Sequence, residues 1–351
     1  MPFPREVSRL VMKLAIVVPC FNEQEVLPKT HRTLLATAER LVKKGLVDEA
    51  RLVYVDDGSA DETWSLVEAL GGSPWVRVTG VKLSRNVGHE SAMLAGLSAC
   101  RGWADCAITI DADLQDDVTV IDQMIRHFRD GCDIVYGARR RRDTDSFLKK
   151  HSALWFYRVM RWFGVELVSN HSDFRLTSAR VIEALQGFGE SNLFLRGIFP
   201  VIGYPSRTVY YDRRLREAGK TKYSPMKLIG LAWDGITSFS VVPLRCITLV
   251  GMATSGISLL LLVHVFVSYW SGEAVPGWAS IVAALSFFFG LTFVFLGIIG
   301  EYLGKIYLET KRRPRYFVER VAEVSPPAAA APSPPHGQAH DPIAIDTAER
   351  P

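Results

Sequence analysis

The first 140 positions alternate between short apolar runs ended by polar turns and longer stretches with helical spacing. Residues 14–18 (LAIVV), 51–55 (RLVYV), 76–83, 107–110 and 134–136 predict strands. Residues 25–43, 60–70, 88–101 and 118–130 predict amphipathic helices between them. This alternation predicts an α/β domain with a mostly parallel sheet covered on both faces. Ligands in such sheets bind beyond the C-terminal ends of the strands. Here those ends carry Asn22, Glu23, Asp56, Asp57, Asp111 and Asp113.

The pattern changes near the C-terminus, where Arg245–Trp270 and Ala279–Gly300 are almost continuously apolar. Each run is about the 20 residues a helix needs to cross the hydrocarbon core of a bilayer. The loop between them has Glu273 and no Lys or Arg, whereas Lys305, Lys311, Arg312, Arg313 and Arg315 follow the second run. The positive-inside tendency then places the N-terminal domain and both chain ends in the cytoplasm. Trp270, Trp278, Tyr302 and Tyr307 stand where interfacial anchors belong. Residues 225–239 predict an amphipathic helix entering the membrane at Pro243. Residues 147–163 form either a second interfacial helix or a domain-packing one. Arg207 to Tyr223 is too charged and aromatic for a routine core element. His264 lies inside the first span, marking an acceptor path or a helix–helix hydrogen bond. The resulting layout is a catalytic domain over 12–223, a juxtamembrane helix over 224–243, and spans over 244–270 and 279–303. A basic cytoplasmic segment over 304–320 and a disordered Pro/Ala-rich tail over 325–351 follow.

Composition sharpens this picture in two places. The 351 residues carry 41 Lys+Arg against 37 Asp+Glu, a formal charge of +4, with the basic residues gathered at 139–150, 207–222 and 305–320. Such clusters suit phosphates or anionic headgroups better than a nucleic-acid groove, so no nucleic-acid partner is expected. The five cysteines show no CxxC or Cys/His metal spacing, and no signal-peptide core precedes the first strand. Both point to a reducing, cytoplasmic setting for the domain.

The chain lacks GxGxxG after its first strand, GxxxxGK[ST], G-x-S-x-G and H-E-x-x-H, which argues against dinucleotide, P-loop, hydrolase-elbow and zincin chemistry. Asp111-Ala112-Asp113 is the sharpest local signal. Two carboxylates at i and i+2 beyond a buried strand are hard oxygen ligands for Mg²⁺ or Mn²⁺, and Gln115 can add an amide oxygen. A metal there and nearby cations would neutralise a departing diphosphate. The candidate cations are Arg139, Arg213, Arg216, Lys220 and Lys222. Asp173 is either a general base or acceptor-orienting group, or else a helix cap or turn carboxylate.

Together these motifs resemble the polyprenyl-phosphate glycosyltransferases of glycosyltransferase family 2, including the bactoprenol (undecaprenyl-phosphate) glucosyltransferases. The chain is similar also to dolichol-phosphate mannosyltransferases and to aminoarabinose transferases of lipid A modification. The marks are VVPCFNEQE at 17–25, VDDGSADET at 55–63, LSRNVGHESAMLAG at 83–96, DADLQDD at 111–117 and SDFRL at 172–176. RRLREAGKTKYS at 213–224 and GEYLGKIYLETKRRPRYFV at 300–318 extend the resemblance over about residues 12–320.

The resemblance implies a GT-A domain followed by amphipathic interface helices and two transmembrane helices. It implies nucleotide contacts at Pro19, Asn22, Glu23 and Asp57, with Asp111 beside both nucleotide and metal. Asp113 and Gln115 match metal-associated positions, and Arg139 a donor or phosphate contact. Arg213, Arg216 and Lys222 fall in the segment associated with phosphate binding. Lys220 and His171 depart from the family pattern and leave the sugar open. The implied reaction is inverting transfer from a nucleotide sugar, UDP-glucose first, to polyprenyl phosphate at the cytoplasmic face of a bacterial inner membrane. N-acetylhexosamine, formamidoarabinose and mannose are the alternative sugars. A processive polysaccharide synthase and a non-catalytic nucleotide-sugar-binding scaffold are the competing functions. Relatives of this architecture assemble through membrane-proximal parts, so a homo-oligomer is among the expected partners.

Overall fold

Strand β1 (Lys13–Cys20) runs through the middle of the sheet, and every residue from Leu14 to Cys20 is buried. A strand covered on both faces reads as an unbroken apolar run, which is why LAIVV is continuous rather than alternating. The computed structural model describes residues 11–140, 171–190, 195–212, 237, 240–271 and 277–324. The interfacial segment 147–163, Arg213, Arg216, Lys220, Lys222, the tail 325–351 and all of 224–243 except Thr237 and 240–243 lie outside them.

β1 pairs in parallel with β2 (Glu49–Asp56) on one side and β4 (Cys106–Thr109) on the other, and β2 pairs in parallel with β3 (Val76–Leu83). Side chains then alternate between two cores. Leu14, Ile16 and Val18 join Leu34 and Leu41 of α1 (Leu27–Lys43), Val67 of α2 (Thr63–Ala69) and Met124 of α4 (Ile121–Arg129). Ala15 and Val17 face α3 (His89–Ala99), with Val181 of α5 (Ala179–Gln186) and Ile198 of α6 (Leu195–Ile202). Small residues on α3 let it sit close to the sheet: a Cβ on Gly96 would lie 2.3 Å from Val17 Cγ1 and 2.8 Å from Val55 Cγ2.

The predicted strands and helices of the first 140 residues are all present. Beyond them the sheet grows by three strands that the apolar pattern did not predict. β6 (His171–Ser178) inserts antiparallel between β4 and β5 (Ile134–Arg139), and β7 (Ser206–Tyr211) pairs in parallel with β5. The start of the charged stretch Arg207–Tyr223 is therefore an edge strand. Val209 and Tyr211 face inward while Tyr210 between them faces out, the alternation of a half-exposed strand.

Helices α7 (Val242–Trp270) and α8 (Trp278–Lys311) are longer than the predicted spans, at 29 and 34 residues. Both are largely apolar, with the charges of α8 gathered in its last turns, and among the described residues none in their most apolar windows is buried by protein. Both are long and apolar enough to cross a membrane. Their polar-end contacts are specific: Tyr302 Oη donates to Ser240 O at 2.7 Å, and Lys305 Nζ donates to Thr237 Oγ1.

After α8 the chain returns to the domain. β8 (Val318–Val324) pairs antiparallel with β3, from Val78↔Val324 to Leu83↔Val318, and completes the order β7-β5-β6-β4-β1-β2-β3-β8. Lys82–Glu319 at 3.0 Å and Arg320–Glu68 at 2.8 Å flank the pairing. Arg315 donates from Nε to Glu190 O at 2.8 Å and from Nη2 to Phe188 O. The segment anticipated as a basic cytoplasmic stretch over 304–320 is thus the end of a helix, a turn and the start of an edge strand.

Candidate active site at the strand ends

The turn after β1 is laced to the turn after β2. Asn22 N donates to Ser59 Oγ at 3.0 Å, and Asn22 Oδ1 accepts from Ala60 N at 2.9 Å. Glu23 N donates to Thr63 Oγ1 at 2.9 Å. Asn22 has φ +54°, a left-handed conformation that asparagine tolerates better than most residues. Gly58, at φ +67°, could not carry a side chain: its Cβ would lie 2.5 Å from the Arg85 carbonyl carbon. Pro19 is buried at the end of β1, opposite Val55.

Asp57 extends this scaffold to the next loop. Its Oδ1 accepts from Val87 N at 2.7 Å and its Oδ2 from Gly88 N at 3.0 Å. Burial raises its pKa, and those two amide donors oppose the rise. Both oxygens are committed to the loop that starts α3, so Asp57 sets where His89 stands.

His89 joins two carboxylates. Its Nε2 lies 3.3 Å from Asp111 Oδ1 and 3.4 Å from Asp173 Oδ2. Strand pairing explains why those carboxylates meet: β4 and β6 run antiparallel with Thr109 opposite Arg175. Continuing that register by two residues brings Asp173 beside Asp111. Asp173 is therefore a strand residue, and the cap of the following helix is Ser178, whose side chain accepts from Val181 N.

Asp173 is saturated with donors. Arg175 Nη2 reaches Oδ1 at 3.0 Å, and Arg196 binds with Nε to Oδ1 at 3.1 Å and Nη2 to Oδ2 at 2.8 Å. Burial alone would raise its pKa, but the His89 and Arg196 hydrogen bonds and the Arg175 charge hold it well below the usual carboxylate range. Burial opposes charge on His89, yet the Asp173 hydrogen bond and the Asp111 charge outweigh it and raise its pKa. Arg175 is almost fully enclosed and lies over the Phe199 ring at 4.3 Å.

Asp111 is the opposite case. Desolvation in the cleft pushes it up to about 6; His89 counters this, while Asp173, Asp116 and Asp113 add to it. Its Oδ1 is shielded from solvent and accepts no hydrogen bond among the described residues. A bound cation would relieve both features, so the residues present fit a divalent metal. Asp113 and Gln115 belong to the same turn, where Gln115 N donates to Asp113 Oδ1 at 3.2 Å. Leu114 between them has φ +50°, a strained conformation for leucine of the kind that clusters at functional turns. No three His, Cys, Asp or Glu side chains among the described residues are arranged to hold a metal ion by themselves. Water and substrate phosphate oxygens would have to complete the shell, as Mg²⁺ commonly requires.

Arg139 stands at the end of β5 and pairs with Asp116 at 3.3 Å, which also accepts from Tyr211 Oη. The structure thus gathers Asp111, Asp173 and Arg139 on the C-terminal side of one sheet and sets the Asn22–Glu23 and Asp57 loops beside them. Sequence reasoning missed His89, Arg175, Arg196 and the Asp116–Tyr211 support of Arg139. Only Arg175 had a legible signal, two residues beyond Asp173 and hence on the same strand face.

The description "Glycosyl transferase family 2" matches residues 15–186. The uncharacterized glycosyltransferase YkoT of Bacillus subtilis is 47% identical over 307 residues, spanning 87% of this chain and 91% of that one. The bactoprenol glucosyl transferase of Shigella phage SfX is 38% identical over 310 residues, 88% of this chain and 99% of its own. An Escherichia coli prophage bactoprenol glucosyl transferase homolog is 37% identical over 312 residues, with the same shares.

Proposed function

The chain belongs to glycosyl transferase family 2, and on that footing we propose that it transfers glucose from UDP-glucose to undecaprenyl phosphate at the cytoplasmic membrane face. The similar proteins named bactoprenol glucosyl transferase support this choice of sugar and lipid. The carrying observation is the placement of the acidic and cationic cleft. It opens on a sheet whose edge strand β8 follows α8 after a short turn. Pairing of β8 with β3 returns the chain to the domain it left before α7, which supports a hairpin of two spans that starts and ends on one side of the membrane. That agrees with the basic residues after α8 and the uncharged-to-acidic loop before it.

In the proposed reaction a phosphate oxygen of the lipid attacks the anomeric carbon. The bond from that carbon to the nucleoside diphosphate breaks, and the diphosphate leaves with the electron pair, inverting the centre. A lipid phosphate ionised near neutral pH needs no strong base, which suits a site whose Asp173 holds arginines rather than protons. Asp111, Asp113 and Gln115 would hold Mg²⁺ or Mn²⁺, which when bound supplies charge neutralisation for the leaving diphosphate. The Asn22–Glu23 and Asp57 loops shape the nucleotide pocket with Pro19. Arg139, fixed by Asp116 and Tyr211, supplies a cation beside it, and Arg213, Arg216 and Lys222 complete the phosphate-binding set. A panel of radiolabelled nucleotide sugars, assayed with and without undecaprenyl phosphate and divalent metal, tests the reading. Label should enter the organic phase from UDP-glucose only when the lipid phosphate is present; no extractable product from any donor would overturn it.

A further inference from the structure

We infer that Arg196 is a phosphate-binding residue of this cleft, presented to substrate by the Asp173 carboxylate. The inference rests on the proposed transfer between phosphate-bearing substrates. Arg175 and Arg196 both grip Asp173, but from different sides. The Arg175 side chain is 2% exposed and its charge already offsets that of Asp173 inside the protein. The Arg196 side chain is 44% exposed. One edge of its guanidinium, Nε and Nη2, is spent on Asp173. The Nη1 edge has no protein partner among the described residues.

A guanidinium held flat by a carboxylate loses little further freedom when its remaining donors meet an anion, and its fork matches phosphate geometry. The position is also right. His89 bridges Asp173 to Asp111, so the pinned arginine stands across one imidazole from the carboxylate that faces the diphosphate in the proposed reaction. The charge of Asp111 reaches Arg196 directly.

The phosphate could be the donor's diphosphate or the lipid's monoester, and equilibrium binding separates them. Full-length protein in detergent micelles would be titrated with UDP plus Mg²⁺ in one arm and with undecaprenyl phosphate in the other. Arg196→Gln should weaken one of these about 10- to 100-fold, the usual scale for a hydrogen bond to a charged group. Loss in the UDP arm assigns Arg196 to the donor; loss in the lipid arm assigns it to the acceptor. Arg196→Lys keeps the charge without the fork and should lose less, and it serves alone if the glutamine variant does not fold. Unchanged affinities in both arms, with only a lowered melting temperature, would make Arg196 a purely structural clamp and overturn the inference. Wild-type protein that binds neither probe would overturn it too. Wild-type protein that binds both yet forms no glycolipid would sink the proposed transfer and leave Arg196 standing.

Discussion

Arg196 meets Asp173 edge to edge, with Nε 3.1 Å from Oδ1 and Nη2 2.8 Å from Oδ2. Arg175 reaches the same carboxylate from the enclosed side at 3.0 Å. A carboxylate so surrounded keeps its negative charge and has little affinity for a proton, so its contribution is to hold cations in place.

Asp173→Asn should therefore act on stability first. It leaves Arg175 buried without its counter-charge, a loss of about 3–5 kcal/mol for a broken buried pair. Thermal unfolding of the substrate-free protein checks this. An asparagine variant as stable as wild type, with activity lost only through a missing basic limb in its pH–rate profile, would restore Asp173 to the role of general base.

Asp113→Ala should spare the fold and remove turnover. The substitution lies in a turn beyond β4, outside both apolar cores. A drop in kcat of about 10²-fold or more is expected for losing one element of charge stabilisation at the leaving group. Steady-state glycolipid formation beside a melting curve separates that outcome from misfolding.

Gly96→Val tests how α3 is seated. Its new Cβ would fall 2.3 Å from Val17 Cγ1, between α3 and β1. Overpacking should cost about 1–3 kcal/mol or more, read as a lowered denaturation midpoint. Because α3 carries His89 at its first turn, donor binding should weaken as well.

Stability of the substrate-free, metal-free protein should depend on pH through two carboxylates of opposite sign. Asp111 keeps its proton in the folded state up to about 6, whereas an unfolded aspartate releases it near 3.9. The folded state then binds more protons across that interval, so the Asp111 contribution is full below about pH 4 and is lost as pH rises to about 6. Asp173, with its pKa held low, contributes above about pH 4, and that contribution fades as the solution is acidified further. Denaturation midpoints measured from pH 3 to pH 8 should show Asp111→Asn removing the decline between about pH 4 and 6.

The proposed topology, with both ends of the α7–α8 hairpin on the side of the catalytic domain, predicts a pattern that thiol labelling in intact cells can read. A cysteine replacing Ser271 at the end of α7 should react with an impermeant reagent from outside, and one replacing Glu323 in β8 should not. Equal labelling of both positions would contradict a hairpin whose outer ends share the side of the catalytic domain.

Much of the parallel half was legible because LAIVV, RLVYV and residues 76–83 are buried on both faces and announce themselves as unbroken apolar runs. The later strands are different. β6 contains Asp173 and Arg175, whose charges are satisfied only by each other and by distant partners, so it reads as polar turn sequence. β7 and β8 are edge strands with several exposed polar or charged residues, so they resemble a solvated loop until a neighbouring strand is known. At the site, Asp111 and Asp113 stood out through spacing alone. His89 followed a glycine at a helix start with nothing local to mark it. Arg196 sits far along the chain from Asp173's neighbours on the sheet, and only the fold brings it there.

Mass analysis of the lipid extract tests the central claim most directly. Purified full-length protein would be given UDP-glucose, Mg²⁺ and undecaprenyl phosphate, with the Asp113→Ala variant beside it. The lipid should gain the mass of one hexose through an acid-labile phosphate linkage with wild type and not with the variant. Undecaprenyl phosphate recovered unmodified from both, while UDP-glucose is bound or hydrolysed, would contradict the assignment of a lipid-phosphate acceptor.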